Sequence, residues 1–173
     1  GYPWGPVFQL LLLTGARLKE VSQASWSEIS ISDRTLDLPG SRTKNERAHQ
    51  IQLSVQTLKI LLSLPKIEGQ DFLFSTNGKT PVSGFSKVKK RLDILCGVAN
   101  WRFHDLRRSF ATHSSEKLSV SPVIVDKILN HRTGQVRGVT AVYQRGEYLA
   151  ERREALQKWG DYIERLVAGE DEA

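Results

Sequence analysis

The chain is 173 residues long, 39% hydrophobic and 25% charged, and carries 25 Lys and Arg against 19 Asp and Glu, a formal net charge of +6. These figures describe one globular domain with room for a proper core and point to polyanionic partners, and no apolar run is long enough for a membrane-spanning helix. The single cysteine, Cys96, excludes an internal disulfide and a cysteine-based zinc site; it falls on the apolar side of a predicted helix, so a buried, inert thiol and a cytoplasmic location are expected.

The sequence contains no Met and no signal-peptide pattern, and it opens directly into an apolar helix, as a piece of a longer protein would. Pro3 and Pro6 lead into the apolar run 7–13, a buried helix stopped near Thr14-Gly15, where glycine can take the left-handed cap. A second short helix is predicted from Arg17 to about Ala24, with Leu18 and Val21 inward and Arg17 at its start, facing away from that core. After Trp26 the period changes. Stretches 29–31, 36–38 and 51–53 alternate apolar and polar and predict short antiparallel strands, with a turn at Asp33-Arg34. The polar, cationic loop 40–48 between the second and third strands presents Lys44 near its tip.

Ser54 can cap a helix with Val55, Leu58, Leu61 and Leu62 inward, ended by Pro65. Residues 69–81 read as loop, with 72–74 briefly extended. The next helix opens at Ser83 or Gly84 and carries Phe85, Val88, Leu92 and Leu95 on one face, with Lys87, Lys89, Lys90 and Arg91 on the other. A central helix follows from about Trp101 to His113, then Ser121-Pro122 starts a helix that ends at Asn130-His131. A short helix or turn is predicted over 136–143. The last helix, 149–166, has an apolar stripe of Leu149, Leu156, Trp159, Ile163 and Leu166, then an acidic, fraying end. The fold class is mainly α with a small three-stranded antiparallel sheet.

The central helix bears the most chemistry. Phe103, Leu106 and Phe110 recur on one face, and His104 and Arg107, three apart, lie side by side on a neighbouring one. An imidazole beside a guanidinium can move a proton and hold anionic oxygens, which is what a phosphodiester requires. A surface basic helix with a capping histidine is the plain alternative.

Five stretches in order carry a resemblance: Thr14-Gly15-Ala16-Arg17-Leu18-Lys19-Glu20, Thr43-Lys44-Asn45, His104-Asp105-Leu106-Arg107, Leu129-Asn130-His131, and Tyr143. Together they resemble the catalytic boxes of the tyrosine recombinases, closest in flavour to phage, prophage and genomic-island integrases. The likeness runs from about Pro3 to Trp159. It departs from the family pattern between His131 and Tyr143, which is longer than usual and includes Gly134 and Gly138.

The resemblance implies that residues 1–173 are a C-terminal catalytic domain of the DNA breaking-rejoining fold, with 149–173 as C-terminal helix and tail and the N-terminal DNA-binding domains absent. It implies site-specific recombination that integrates or excises a mobile element, on double-stranded DNA attachment sites, by a homo-oligomer (a tetramer) on DNA, in the nucleoid of a bacterial or phage-infected cell. No cofactor, metal or membrane is implied. Tyr143 would attack the scissile phosphate, giving a 3′-phosphotyrosyl link and a free 5′-hydroxyl. Arg17 and Arg107 would fork the non-bridging oxygens, and Lys44 would protonate the leaving 5′-oxygen. His104 would exchange a proton with the tyrosine hydroxyl, and His131 would hydrogen-bond a phosphate oxygen. Glu20, in the same box, is expected to position Arg17 or its neighbours and not to touch substrate.

Each residue has an ordinary structural alternative: Arg17 a helix surface, Lys44 a loop charge, Tyr143 a packing tyrosine, His131 a helix C-cap. His49 and His113 match no box and are expected to be structural; Arg42 and Arg108 are candidates for DNA-backbone contacts. Three rival functions follow. His104-Asp105 resembles the dipeptide of metal-dependent phosphohydrolases, which need further ligands. A type IB topoisomerase shares the fold and nucleophile chemistry. A DNA-binding accessory protein would keep the fold without cleavage.

Overall fold

The computed structural model describes residues 1–131 and 147–170. Tyr143, the helix or turn expected over 136–143, and most of the acidic end lie outside the described residues. Among those described are seven α-helices and one three-stranded antiparallel sheet, as the alternation and helical periods predict.

Helix α1 (Trp4–Thr14) begins before the apolar run, with Pro6 inside its first turn, where a missing N–H leaves no hydrogen bond unmade. It ends at Gly15, whose φ of +63° is the left-handed cap and whose N–H donates to the Leu11 carbonyl. Helix α2 (Leu18–Ser22) follows after one extended residue, Arg17. Strands β1 (Ile29–Ser30), β2 (Thr35–Leu38) and β3 (His49–Gln52) pair in sequence order, with Leu36 opposite both Ile29 and Ile51 and Leu38 opposite His49. Leu36, Leu38, Ile51 and Leu53 pack with α1, α2 and α3 (Val55–Ser63) into one core that also holds Phe74. Ser54 caps α3 by accepting the Thr57 N–H.

A second core joins α5 (Phe103–Glu116), α6 (Pro122–Ile128) and α7 (Leu149–Ala168) around Phe110, Leu129, Leu156 and Trp159. Helix α5 bridges the two: Phe103 and Leu106 pack on the first core, Phe110 lies in the second. Gly15 stands at the seam. A Cβ there would meet Phe110 at 2.9 Å and Leu129 at 3.1 Å, so only glycine lets α1, α5 and the end of α6 meet so closely.

Helix α7 belongs to its own domain. Trp159 is 1% exposed and its Nε1–H donates to the Leu12 carbonyl at 2.8 Å. The stripe is shorter than expected, because Leu149 and Leu166 at its two ends are exposed and the buried stretch lies between them. Two other apolar faces differ from the periodicity. In α3, Val55 and Leu62 are exposed while Thr57 and Leu61 are buried, because α3 is wedged between α1 and α7 and buries the 57/61 line. In α4 (Phe85–Cys96) no residue is buried; Phe85 packs on the first core, but the last turn overhangs it, leaving Ile94 and Leu95 82% exposed. The expectation of a buried Cys96 fails for the same reason: the thiol ends that turn and is exposed.

Candidate active site

The seam between the two cores fixes the first two candidates. Arg17 is the N-cap of α2, where its own backbone N–H and its guanidinium both donate to the buried Glu20 carboxylate, each at 2.8 Å. Glu20 therefore positions Arg17, as expected. Arg107, 3% exposed, enters the seam from α5. Its Nη1–H donates to the Gly15 carbonyl at 2.7 Å and its Nη2–H to the Leu129 carbonyl. These are the chain-end carbonyls of α1 and α6, which otherwise have no helical partner. Burial, and secondarily the Arg17 charge, lower the Arg107 pKa to about 10, against a smaller opposing pull from Glu20. It remains a cation at neutral pH, pinned by backbone on one side.

A cleft of about 680 Å³ opens beside this pair, and Arg17, Lys44, His104 and Arg107 all line it. Among the described residues its other basic members are Lys19, Arg42 and Arg102, and Glu20 is its one carboxylate. Such a predominantly cationic lining concentrates field on an anion that enters. His104 is exposed in the first turn of α5. The neighbouring Asp105 is engaged in capping that helix, accepting the Arg102 N–H at 2.8 Å, which with the Arg108 cation holds its carboxyl below the usual range. Among the described residues no group of three or more His, Cys, Asp or Glu is arranged to hold a metal ion.

Lys44 is exposed on the loop between β2 and β3. Thr43 shapes this loop: its hydroxyl lies 3.1 Å from the Gly40 carbonyl, 2.7 Å from the Arg47 carbonyl and 3.1 Å from Asn45 Oδ1. Gly40 is required there, since a Cβ would stand 2.6 Å from the Glu46 carbonyl oxygen. Arg42 pairs with Glu28 and donates to the Glu20 carbonyl at 2.9 Å, bracing α2 at the side of the cleft. Arg108 is exposed beside Asp105.

His131 follows Asn130, whose φ of +47° ends α6. Its Nδ1 lies 3.0 Å from Asp126 Oδ1, and the ring does not line the cleft. The backbone before it does reach the site, for the Asn130 carbonyl is 3.5 Å from Arg17 Nη2. Four of the six candidates therefore share one cleft, His131 is not among its lining residues, and Tyr143 lies outside the described residues.

His49 is structural, as expected. It is buried, with Nε2 3.0 Å from the Ile128 carbonyl. Burial first, then the Arg152 charge, push its pKa down to about 4, so the neutral ring donates that hydrogen bond. His113, half-buried on α5, is likewise away from the cleft. Arg152 escapes sequence reasoning. It sits in the charged run 151–154, which looks like a solvated face, yet it is 2% exposed, donating to the Gln50 carbonyl and pairing with Glu147 at 3.6 Å.

Residues 6–145 match the model of the phage integrase family. Over 162 residues the chain is 29% identical to prophage integrase IntZ of Escherichia coli K12, covering 93% of this chain and 40% of that protein. It thus spans about two fifths of the length of the prophage integrases it matches. The fold is similar to that of the integrase from mycobacterium phage Brujita, with TM-score 0.69 and 19% identity over 90% of this chain and 50% of that one. It also resembles a lambda integrase solved as a dimer bound to a COC′ core site, with TM-score 0.57 and 20% identity over 74% and 50%. With its cationic cleft and its boxes in order, the chain belongs to the phage integrase family, the tyrosine recombinases.

Proposed function

We propose that this chain supplies the catalytic chemistry of a site-specific recombinase that cuts and rejoins double-stranded DNA to integrate or excise a mobile element. One observation carries the reading: two arginines, a lysine and a histidine from three separate elements converge on one cleft, and the more buried arginine is fixed by backbone carbonyls. A pre-oriented guanidinium loses little freedom when it takes up a phosphate, which is what transition-state stabilisation needs.

In the reaction, the Tyr143 oxygen attacks the scissile phosphorus and its proton passes to His104. Arg17 and Arg107 hold the non-bridging oxygens, with His131 adding a hydrogen bond. The P–O5′ bond breaks, the electron pair leaves with the 5′-oxygen, and Lys44 donates the proton that makes it a hydroxyl. The 3′-phosphotyrosyl link keeps the phosphodiester energy, so a second 5′-hydroxyl can reverse the steps on a new strand. The enzyme works as a homo-oligomer on DNA, a reading supported by the lambda integrase dimer on its core site. Residues 1–173 act as its catalytic domain.

The test is covalent capture. The intact protein is mixed with a nicked duplex library carrying a random core, and adducts that survive denaturation are sequenced. Tyr143→Phe should abolish the adduct while leaving folding and DNA binding unchanged, and Tyr148→Phe should retain it. An adduct that persists in Tyr143→Phe and vanishes in Tyr148→Phe would place the nucleophile on the wrong tyrosine. No adduct with any core would leave a DNA-binding protein without cleavage.

A further inference from the structure

Beside the cleft lies a contact that the chemistry above does not use. Asn45 directly follows Lys44, and Asn130 directly precedes His131. Their side-chain amides face each other: Asn45 Nδ2–H donates to Asn130 Oδ1 at 2.7 Å, and Asn130 Nδ2–H returns a bond to Asn45 Oδ1 at 3.3 Å. Eighty-five positions of sequence separate them. Among the described residues, no other side-chain hydrogen bond from residues 43–48 leaves the loop. On the far side, Asn130 is tied to the phosphate-binding pair: its carbonyl is within 3.5 Å of Arg17 Nη2, and the preceding Leu129 carbonyl accepts from Arg107.

We infer that the Asn45–Asn130 amide pair is a latch that sets the Lys44 loop against the two arginines, making both asparagines positioning residues for protonation of the leaving oxygen. The inference rests on the role proposed above for Lys44. An exposed lysine on a loop has a long, free stem, and proton transfer needs it within hydrogen-bond reach of one oxygen. The latch restricts where that stem starts. Two neutral amides hold the loop without adding a further charge to it. Asn130 also suits the turn, because asparagine tolerates the left-handed conformation that ends α6.

Asn130→Gly is the clean perturbation. Glycine accepts a φ of +47° without strain, so the amide is lost and the turn retained. Asn45→Ala breaks the latch from the other side. Single-turnover cleavage is measured on a captured core with the ordinary 5′-oxygen at the scissile bond, and again with bridging sulfur there. The P–S bond breaks with the electron pair on sulfur, and that thiolate needs no proton to leave. Asn130→Gly should slow oxygen cleavage about tenfold and sulfur cleavage less than about twofold. The double variant should be no slower than the slower single, since one contact is removed only once. Equal slowing on both substrates would mean that the pair serves only the fold, and unchanged rates would mean that nothing is latched; either overturns the inference. Lys44→Ala is the separate control. If sulfur fails to rescue it, the acid is another group, and the role of Lys44 falls first, taking the purpose of the latch with it.

Discussion

Gly15→Ala tests whether the seam of two cores is what builds the site. The backbone at Gly15 has φ of +63°, and a left-handed residue with a Cβ costs roughly 1–2 kcal/mol. The added methyl would stand 2.9 Å from a carbon of Phe110 and 3.1 Å from one of Leu129, well inside the ~3.5–4 Å of an ordinary carbon contact. Neither neighbour has room to yield, since Phe110 is 0% and Leu129 1% exposed. Forcing a methyl into such a core costs about 1–3 kcal/mol. Together these predict a loss of about 2–5 kcal/mol, a large part of the ~5–15 kcal/mol that holds a domain folded. Activity should fall as well, because the same residue's carbonyl accepts from Arg107 Nη1 at 2.7 Å. Urea unfolding followed by tryptophan fluorescence measures the first effect and adduct formation under native conditions the second. Gly5→Ala is the control: nothing lies within 4 Å of a Cβ there, so it should be neutral or slightly stabilising. A Gly15→Ala protein within about 0.5 kcal/mol of the parent, the range of an unremarkable surface change, would refute the argument.

Three other outcomes are expected. His49 is neutral in the fold, with its pKa near 4 against an ordinary 6.5, so the unfolded chain takes up the proton first as pH falls. Stability contributed at pH 7 is therefore lost between about pH 6.5 and 4, roughly 3 kcal/mol in all. Urea titrations across that range should show the loss in the parent and a flatter slope in His49→Gln, which can still donate to the Ile128 carbonyl. Trp159→Ala removes a 1% exposed ring and its bond to the Leu12 carbonyl. It should cost about 3–5 kcal/mol, and truncation after Tyr148 should unfold the domain; a folded truncated core would contradict the packing of α7. Finally, cleavage should proceed at an undiminished rate in excess chelator, because Arg17, Arg107 and Lys44 already supply the positive charge a metal would bring. Loss of activity restored by magnesium would count against that.

Much of this site is legible in sequence for a chemical reason. His104 and Arg107 stand out because an imidazole and a guanidinium share one end of a helix, Arg17 and Lys44 through the resemblance to the recombinase boxes, and the structure draws those four together. The strands and the caps at Gly15, Ser54 and Ser121 are legible because local rules decide them. What escapes is whatever depends on contacts between distant segments. Arg152 looks like one of several charges on a helix surface, and only the fold shows it buried against β3. Cys96 and Leu95 carry an apolar period, but a helix buries its apolar face only where something lies opposite, and among the described residues the last turn of α4 has no such support. Asn45 and Asn130 lie inside recognisable boxes beside more conspicuous neighbours, and their pairing is invisible until 85 positions are folded together. The candidate reacting groups can therefore be read from their residue types only when the boxes are taken together. The residues that hold them in register are ordinary amides, carbonyls and a glycine, and geometry alone reveals them.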